Sequence, residues 1–489
     1  MNYASQKRRW HWHLDCPPAP LWRQLGDTQR FNEAAGLPQQ TIRTERRPDG
    51  RLEFFATAKL GPFDLEWQEI PVNWVANSWF EHCRHFTKGP LKLLCARLSL
   101  APAGGGSDLQ VEIEAQAANL LGLLLLQGGF FKGSEKMYRD LGQAAARFVR
   151  GEAAVPFTYE PPQPDTAARE RARRLVTEIE SSGHGHGLAE RLLALIFTSQ
   201  EVDLMRLRPL ALARRWQAPP WQVVELCLES VRAGLLEMRW DILCPRCRIG
   251  KAPVQALDRL PEGTHCDTCD IPYDRDFSKN VELSFTPAAS LRPVSAGEFC
   301  LFGPMSTPHI WAQIALAPGE ERRLALSLPP GAYRLRSLEP GPQCDLDFEG
   351  GGFPEIELDD DAITAGAPAA PDLVVLSNRG SRAVTAVVEE RRWLRDALTA
   401  DRVTSLQAFR DLFSDQVLRP GDEVAVAAVT LMFTDLKGST DLFNRIGDAA
   451  AYHLVRAHFA FLTAIVRAHR GAVVKTIGDA IMASFPDPA

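Results

Sequence analysis

The sequence has no long apolar run. Its most apolar stretch, Leu120 to Leu126, contains Gly122 and is far too short to cross a bilayer, which takes about 20 consecutive apolar residues. The N-terminus, MNYASQKRRWHWHLD, is basic but lacks the continuous apolar core of a secretory signal. Positive charge is not in excess either: 55 Lys and Arg against 61 Asp and Glu give a net charge of −6. That leaves no bulk basic field for nucleic acid or an anionic membrane. The remaining composition, 45% apolar and 24% charged, is ordinary for a globular protein, and 489 residues suffice for several domains. The chain reads as cytoplasmic, with neither a membrane nor a nucleic acid expected as partner.

Ten cysteines invite a disulfide framework, but their distribution argues for metal. Cys244-Pro-Arg-Cys247 and Cys266-Asp-Thr-Cys269 are separated by 18 residues, a C-x2-C-x18-C-x2-C pattern within the spacing of a zinc site. Four thiolates on two tight knuckles close a tetrahedron and leave no open position for catalysis, so one structural Zn2+ is expected. Redox-active pairs or a coincidental spacing are the competing readings. The basic residues Arg246, Arg248, Lys251 and Arg259 are offset by Asp258, Glu262, Asp267, Asp270, Asp274 and Asp276, so the ribbon presents no basic face. Cys16, Cys83, Cys95, Cys227, Cys300 and Cys344 are scattered and read as buried thiols.

The pattern along the chain is that of a multidomain α+β protein. In residues 1–155, Arg51 to Lys59, Phe63 to Ile70, Asn77 to Phe86, Leu91 to Leu100 and Leu109 to Gln116 alternate or run apolar between Gly/Pro breaks, as in an antiparallel meander. A helix follows, with Met137, Leu141, Ala145 and Phe148 on one face. This order of elements resembles the START-like helix-grip fold, which implies a cavity able to hold an apolar small ligand; a filled core is the equal alternative. Pro156 to Asp165 is a proline-rich linker. Residues 166–240 are helical, and their helix-turn-helix-strand outline is similar to a winged helix. Arg206, Arg208, Arg214, Arg215 and Arg232 there are read as packing rather than DNA-contacting residues. The turn Ser181 to Gly187 carries two histidines, read as solvated loop groups rather than metal ligands. A zinc ribbon (241–280), a β-sandwich (281–390) without a catalytic constellation, and a linker helix (391–422) complete the upstream part. Asp359-Asp360-Asp361 within the sandwich reads as a solvated acidic turn, not a calcium site.

Residues 423–489 carry the chemistry. Val424 to Phe433 is a small, apolar run expected to be a strand buried on both faces. Asp435 follows where it ends, and Gly438-Ser439-Thr440 form a small polar loop in which Ser439 or Thr440 is suited to cap the next helix. Val455, Phe459, Leu462 and Val466 mark a helix face that closes at Arg470-Gly471. Val473 to Ile477 and Ile481 to Phe485 are strands joined by Gly478-Asp479-Ala480. Strand, loop, helix and hairpin in that order bring Asp435 and Asp479, 44 positions apart, toward one site. Rigid carboxylates beside a small-residue loop suit divalent cations and a triphosphate.

The segments Phe433-Thr434-Asp435-Leu436-Lys437-Gly438-Ser439-Thr440 and Lys475-Thr476-Ile477-Gly478-Asp479 resemble the start of the class III nucleotidyl cyclase catalytic domain. The resemblance implies a ferredoxin-like (βαβ) domain in which Asp435 and Asp479 hold two Mg2+ or Mn2+ ions. One ion would activate the ribose 3′-hydroxyl, and both would brace the α-phosphate. It further implies that Leu436 offers a backbone carbonyl, that Gly438, Ser439 and Thr440 line the phosphates, and that Lys475 reads the adenine ring. Lysine at that position favours ATP over GTP, because adenine N1 accepts a hydrogen bond whereas guanine N1 donates one.

The expected function is a class III adenylate cyclase converting ATP to cyclic AMP and pyrophosphate, with upstream sensory or scaffold domains and a homodimeric full-length form. Residues matching the later part of the family's domain are not present before Ala489. The 489-residue form is therefore expected to be truncated and inactive. The alternative is a ligand-binding, zinc-ribbon regulatory protein whose cyclase remnant only binds nucleotide or dimerises.

Overall fold

Alternation of apolar and polar side chains builds most of the first half of the chain. The segment GSDLQVEIEAQA shows it most clearly: Leu109, Val111, Ile113 and Ala115 are buried, with half-exposed Gln110, Glu112 and Glu114 between them. That period of two is what a sheet with one packed face requires. The computed structural model describes residues 3–413, 430–469 and 471–485, apart from Asp49, Ala296 and Phe302. These residues form two units: 1–160, 265–272 and 295–393 in the first, and 161–264, 273–294 and 394–489 in the second.

The first unit opens with β1 (Gln6–Leu14), α1 (Pro18–Leu25) and α2 (Thr28–Ala34). Six antiparallel strands follow: β2 (Gln40–Arg46), β3 (Leu52–Leu60), β4 (Phe63–Val75), β5 (Trp79–Lys88), β6 (Leu91–Ala103) and β7 (Gly106–Ala117). They pair in the order β2-β3-β4-β5-β6-β7-β1, and the short α3 (Leu120–Leu125) leads into α4 (Phe131–Val149). On α4, Tyr138, Gly142 and Ala145 are buried, while Met137, Leu141 and Phe148 are partly so. The helix lies so close to β7 that a Cβ on Gly142 would sit 2.9 Å from Leu109. Phe31 packs against both Tyr138 and Phe157, and Trp22 meets Phe80 edge-on, so rings occupy the interior beneath α4.

Two features of this unit lay outside the sequence reading. Cys83 and Cys95 are directly opposed across β5 and β6 and form a disulfide, so they are not separate buried thiols. Second, β4 reaches past the meander. Its end residues Trp74 and Val75 pair with Gln313 and Ala312 of a strand more than 230 positions later.

In the second unit, α5 (Thr166–Ser181), α6 (Ala189–Thr198), the single-turn α7 (Glu201–Leu204), α8 (Pro209–Trp216) and α9 (Pro220–Ala233) precede the hairpin β8 (Leu236–Leu243) and β9 (Gly250–Val254). The short hairpin β10 (Gly263–Cys266) and β11 (Ile271–Asp274), whose residues 265–272 belong to the first unit, carries the second cysteine pair. β12 (Val281–Pro287), read above as the first strand of the sandwich, instead pairs along its whole length with β8. Its alternate residues Val281, Leu283 and Phe285 are fully buried in the helical core, which settles its register there.

Back in the first unit run β13 (Ile310–Leu316), β14 (Glu321–Ala325), β15 (Gly331–Ser337), β16 (Gln343–Phe348), β17 (Pro354–Leu358), β18 (Ile363–Pro368), β19 (Leu373–Asn378) and β20 (Val384–Glu390). The order β4-β13-β20-β15-β16 extends the first sheet, and β14-β19-β17-β18 form a second that packs on it through Ile314, Leu324, Val374 and Val388. The sandwich therefore shares a sheet with the helix-covered meander. Asp360 in the acidic turn accepts hydrogen bonds from the Ser381 backbone and hydroxyl, which hold its carboxyl below the usual range.

The expected linker helix is not continuous. Its described part is a two-residue strand β21 (Leu398–Thr399) on the edge of β12, then α10 (Ala400–Thr404) and α11 (Gln407–Leu412). Leu398, Val403 and Phe409 are buried in the helical core, with Phe409 edge-on to Trp240, and these anchors break the segment into short pieces. Residues 414–422 lie outside the described residues.

The arginines of the helical unit are largely engaged internally. Arg208 makes a bidentate pair with Glu282, Arg206 and Arg239 meet Asp241, Arg214 pairs with Asp396, and Arg232 reaches Glu229 and Glu178. Glu282 and Asp241 are fully buried, so each depends on its arginine. Arg208→Ala leaves the Glu282 carboxylate buried and uncompensated and is expected to cost about 3 kcal/mol or more. Urea denaturation followed by tryptophan fluorescence checks this; a loss below about 1 kcal/mol would contradict it.

Candidate functional site: a two-carboxylate turn and a four-cysteine cluster

The C-terminal elements are β22 (Thr430–Thr434), α12 (Ser439–Ile446), α13 (Asp448–Ala468), β23 (Ala472–Ile477) and β24 (Ala480–Phe485). Val424 to Val429 and Arg470 lie outside the described residues. β22 and β23 both run antiparallel to β24, which lies between them, so the two helices form the crossover of a split βαβ unit. Val466 of α13 is buried on this sheet, with Phe459 and Leu462 packed beside it against Ile481 and Ala483, and Val455 is buried as well. By length and composition α13 is the one described helix apolar enough to cross a membrane, with mean hydropathy 1.3, but one of its faces covers a sheet. β22 is not buried on both faces: Met432 turns to the core, while Leu431 and Phe433 are exposed.

Pairing fixes where the two aspartates lie. Thr434 is opposite Ile481, and the Ile481 N–H donates to the Thr434 hydroxyl at 3.2 Å. Asp435 is the next residue after Thr434, and Asp479 precedes Ile481 by two, in the Gly478-Asp479 turn of the β23–β24 hairpin. Both therefore sit at the same end of adjacent strands. Asp435 Oδ1 accepts from its neighbour Leu436 N–H at 3.1 Å. Asp479 Oδ2 is buried with no hydrogen-bond partner, which leaves its lone pairs available to a cation. These residues fit a divalent metal.

Around them, the Leu436 carbonyl accepts from Ser439 N–H at 3.3 Å and keeps one lone pair for another partner. Gly438 takes φ 77°, ψ 27° and is itself the N-cap of α12, so Ser439 is the first helical residue and neither Ser439 nor Thr440 caps by side chain. Only glycine enters that left-handed conformation without penalty. The first turn of α12 leaves further N–H groups without intrahelical partners, and such groups can bind phosphate oxygens. Lys475 lies exposed on β23, across from Met482.

The second site is the cysteine cluster. The sulfurs of Cys244, Cys247, Cys266 and Cys269 all lie within 4.8 Å of one another, and all four residues are buried. Both knuckles have the same backbone. The residue after the second cysteine, Arg248 or Asp270, takes a left-handed φ of 59° or 49°, and its N–H returns to the carbonyl of the first cysteine at 2.9 or 2.7 Å. Arg246 N–H also points at Cys244 Sγ, 3.4 Å away. A tetrahedral Zn–S4 centre with bonds near 2.3 Å sets its sulfurs about 3.8 Å apart, so the donor set fits zinc. A further group, His184, His186 and Glu225, also converges; the two histidines were read above as solvated loop groups, and the distant glutamate gave no signal in the sequence.

A family model of the adenylate and guanylate cyclase catalytic domain matches residues 423–487, and one of a family of unknown function (DUF5939) matches residues 171–303. No curated protein matches the chain. Among solved structures it is similar to the Zhui aromatase/cyclase from Streptomyces sp. R1128, at 9% identity over 31% of this chain and 100% of that one, TM-score 0.25. It is likewise similar to Ara h 8.0201 (14% identity, 30% and 99%, TM-score 0.23) and to TTHA0849 from Thermus thermophilus (14%, 30% and 100%, TM-score 0.22). No functional inference is taken from these three likenesses. A class III adenylate/guanylate cyclase catalytic domain is present at residues 423–487. Such domains take a nucleotide substrate, use divalent metal and usually dimerise.

Proposed function

We propose that the protein is a cytoplasmic adenylate cyclase, forming cyclic AMP and pyrophosphate from ATP, whose upstream units regulate or scaffold the catalytic domain. The observation that carries this is the shared location of Asp435 and Asp479 at one end of β22 and β24, with Asp479 Oδ2 buried and unpartnered, inside the matched cyclase domain. Asp435 and Asp479, helped by the Leu436 carbonyl, would hold two Mg2+ or Mn2+ ions. When bound, these supply positive charge at the α-phosphate and the leaving pyrophosphate and acidify the ribose 3′-hydroxyl. The loop Gly438-Ser439-Thr440 at the start of α12 would line the phosphates and orient the chain of the triphosphate for in-line attack. Lys475 donates to adenine N1.

The exposed apolar residues Leu431, Phe433, Tyr452, Leu454 and Phe461 support burial against a second subunit, as a homodimer requires. The rings packed beneath α4 favour a scaffold role for residues 1–155 over an apolar-ligand role. The direct test is cyclic nucleotide production by the full-length gene product with Mn2+ and either ATP or GTP. Cyclic AMP as main product supports the assignment, and cyclic GMP alone overturns it.

Base selection has its own variant. Lys475→Glu replaces a donor with an acceptor on an exposed strand position, so folding should be untouched. The ATP:GTP ratio of kcat/KM should fall by about 10-fold or more, the worth of one such hydrogen bond of about 1.4 kcal/mol. An unchanged ratio would remove Lys475 from the base site.

A further inference from the structure

We propose a second metal site, for a first-row divalent ion such as Zn2+ or Cu2+, made by His184, His186 and Glu225. Their ligand atoms lie within 4.8 Å of one another. His186 Nε2 is 2.8 Å and His184 Nδ1 3.8 Å from the same oxygen, Glu225 Oε2. Two imidazoles and one carboxylate are the donor set that borderline metals take in preference to Mg2+ or Ca2+. Three protein ligands leave a coordination position open, unlike the closed cysteine site.

The backbone is shaped to make the histidines converge. Glu180, in the last turn of α5, accepts from Gly187 N–H at 2.9 Å and Ala189 N–H at 2.8 Å, which folds the turn back on the helix end. Gly185, between the histidines, lies so close that a Cβ there would fall 2.4 Å from Glu180 Oε2. His184 N–H is held by Ser182 Oγ at 3.2 Å. His186 itself takes φ 54°, a left-handed conformation that a non-glycine residue adopts at a cost, and its ring is thereby aimed at Glu225. The carboxylate comes from a rigid support: Glu225 lies on α9 between Val224 and Leu226, both fully buried. A surface ion pair would need only one histidine and no strained turn. The metal would clip the α5–α6 turn to α9 and offer its open position to water or an exogenous donor.

The test uses the full chain with its cysteine-bound zinc retained, in an Asp435→Ala/Asp479→Ala background so that the cyclase carboxylates do not contribute. Calorimetric titration with Zn2+ should show one further equivalent bound, and Cu2+ in its place should give an electron paramagnetic resonance signal with nitrogen coupling. His186→Gly removes a ligand while relieving the left-handed strain, so it should fold at least as well and bind roughly 10- to 100-fold more weakly. Glu225→Gln should weaken binding comparably. No further equivalent, or binding equal in the parent and in both variants, overturns the site.

Discussion

Asp435→Ala or Asp479→Ala should abolish metal-dependent turnover of ATP by the full-length gene product, a loss on the order of 10^3-fold or more in kcat. On the proposed assignment both carboxylates would act on the same charge, since the triphosphate's negative oxygens would be neutralised at the end of β22 and β24 before attack. Losing either should therefore cost almost as much as losing both, since parts that act as a unit are not additive. Stability is expected to move the other way. Two carboxylates at one end of adjacent strands repel in the absence of a cation, and Asp479 Oδ2 is buried without a hydrogen-bond donor. Removing one of them should leave the metal-free melting temperature unchanged or slightly raised. The rise in melting temperature that Mn2+ plus nucleotide gives the parent should vanish in the variants. Activity retained within 10-fold in either variant would dismiss the assignment. A collapse of the metal-free melting temperature would instead make the aspartate a folding residue.

What could be read from the sequence was what lies close together along it. The Gly478-Asp479 turn, the strand-to-helix loop at Asp435 to Thr440, and each C-x2-C knuckle are local structures whose spacing dictates their geometry, and each appears at the expected residues. Non-local pairing was not legible. Only two residues of β4 meet β13, yet that short ladder joins the meander and the sandwich in one sheet. A period of two along β12 says that one face is buried but not against which neighbour, and it went to β8 rather than to the sandwich. Cys83 and Cys95 gave no signal of pairing because only the register of β5 against β6 opposes them. The same holds for Glu225, whose place beside His184 and His186 depends on α5 packing along α9. The helix expected at 391–422 failed for a different reason. Its apolar residues serve different partners: Leu398 extends a sheet edge while Phe409 fills the core against Trp240.

Replacing a single cysteine, Cys266→Ser, should abolish zinc binding by the cysteine cluster and unfold the region around it. The four sulfurs are buried, and the first knuckle continues directly from β8, whose Trp240 and Ile242 are fully buried in the helical core. Structural zinc in peptides of this kind contributes about 10–16 kcal/mol of apparent binding free energy, as much as the whole stability of an ordinary domain, about 5–15 kcal/mol. Three thiolates retain only part of that, because the tetrahedron opens and water enters a site lined by buried sulfur. The hairpin β10–β11 has only a few backbone hydrogen bonds of its own to fall back on, since two-stranded ribbons are marginal in water. Purified parent protein should contain one zinc per chain at this site by mass spectrometry of the metal, and the variant close to none. The variant should also show faster proteolysis between residues 244 and 275 and a weakened near-ultraviolet signal from Trp240. Serine is nearly isosteric with cysteine, so these losses would come from the missing metal bond and not from a cavity. A parent protein prepared without chelator and free of zinc, or a variant with unchanged protease resistance, would refute the metal and leave the four thiols as a packing cluster alone.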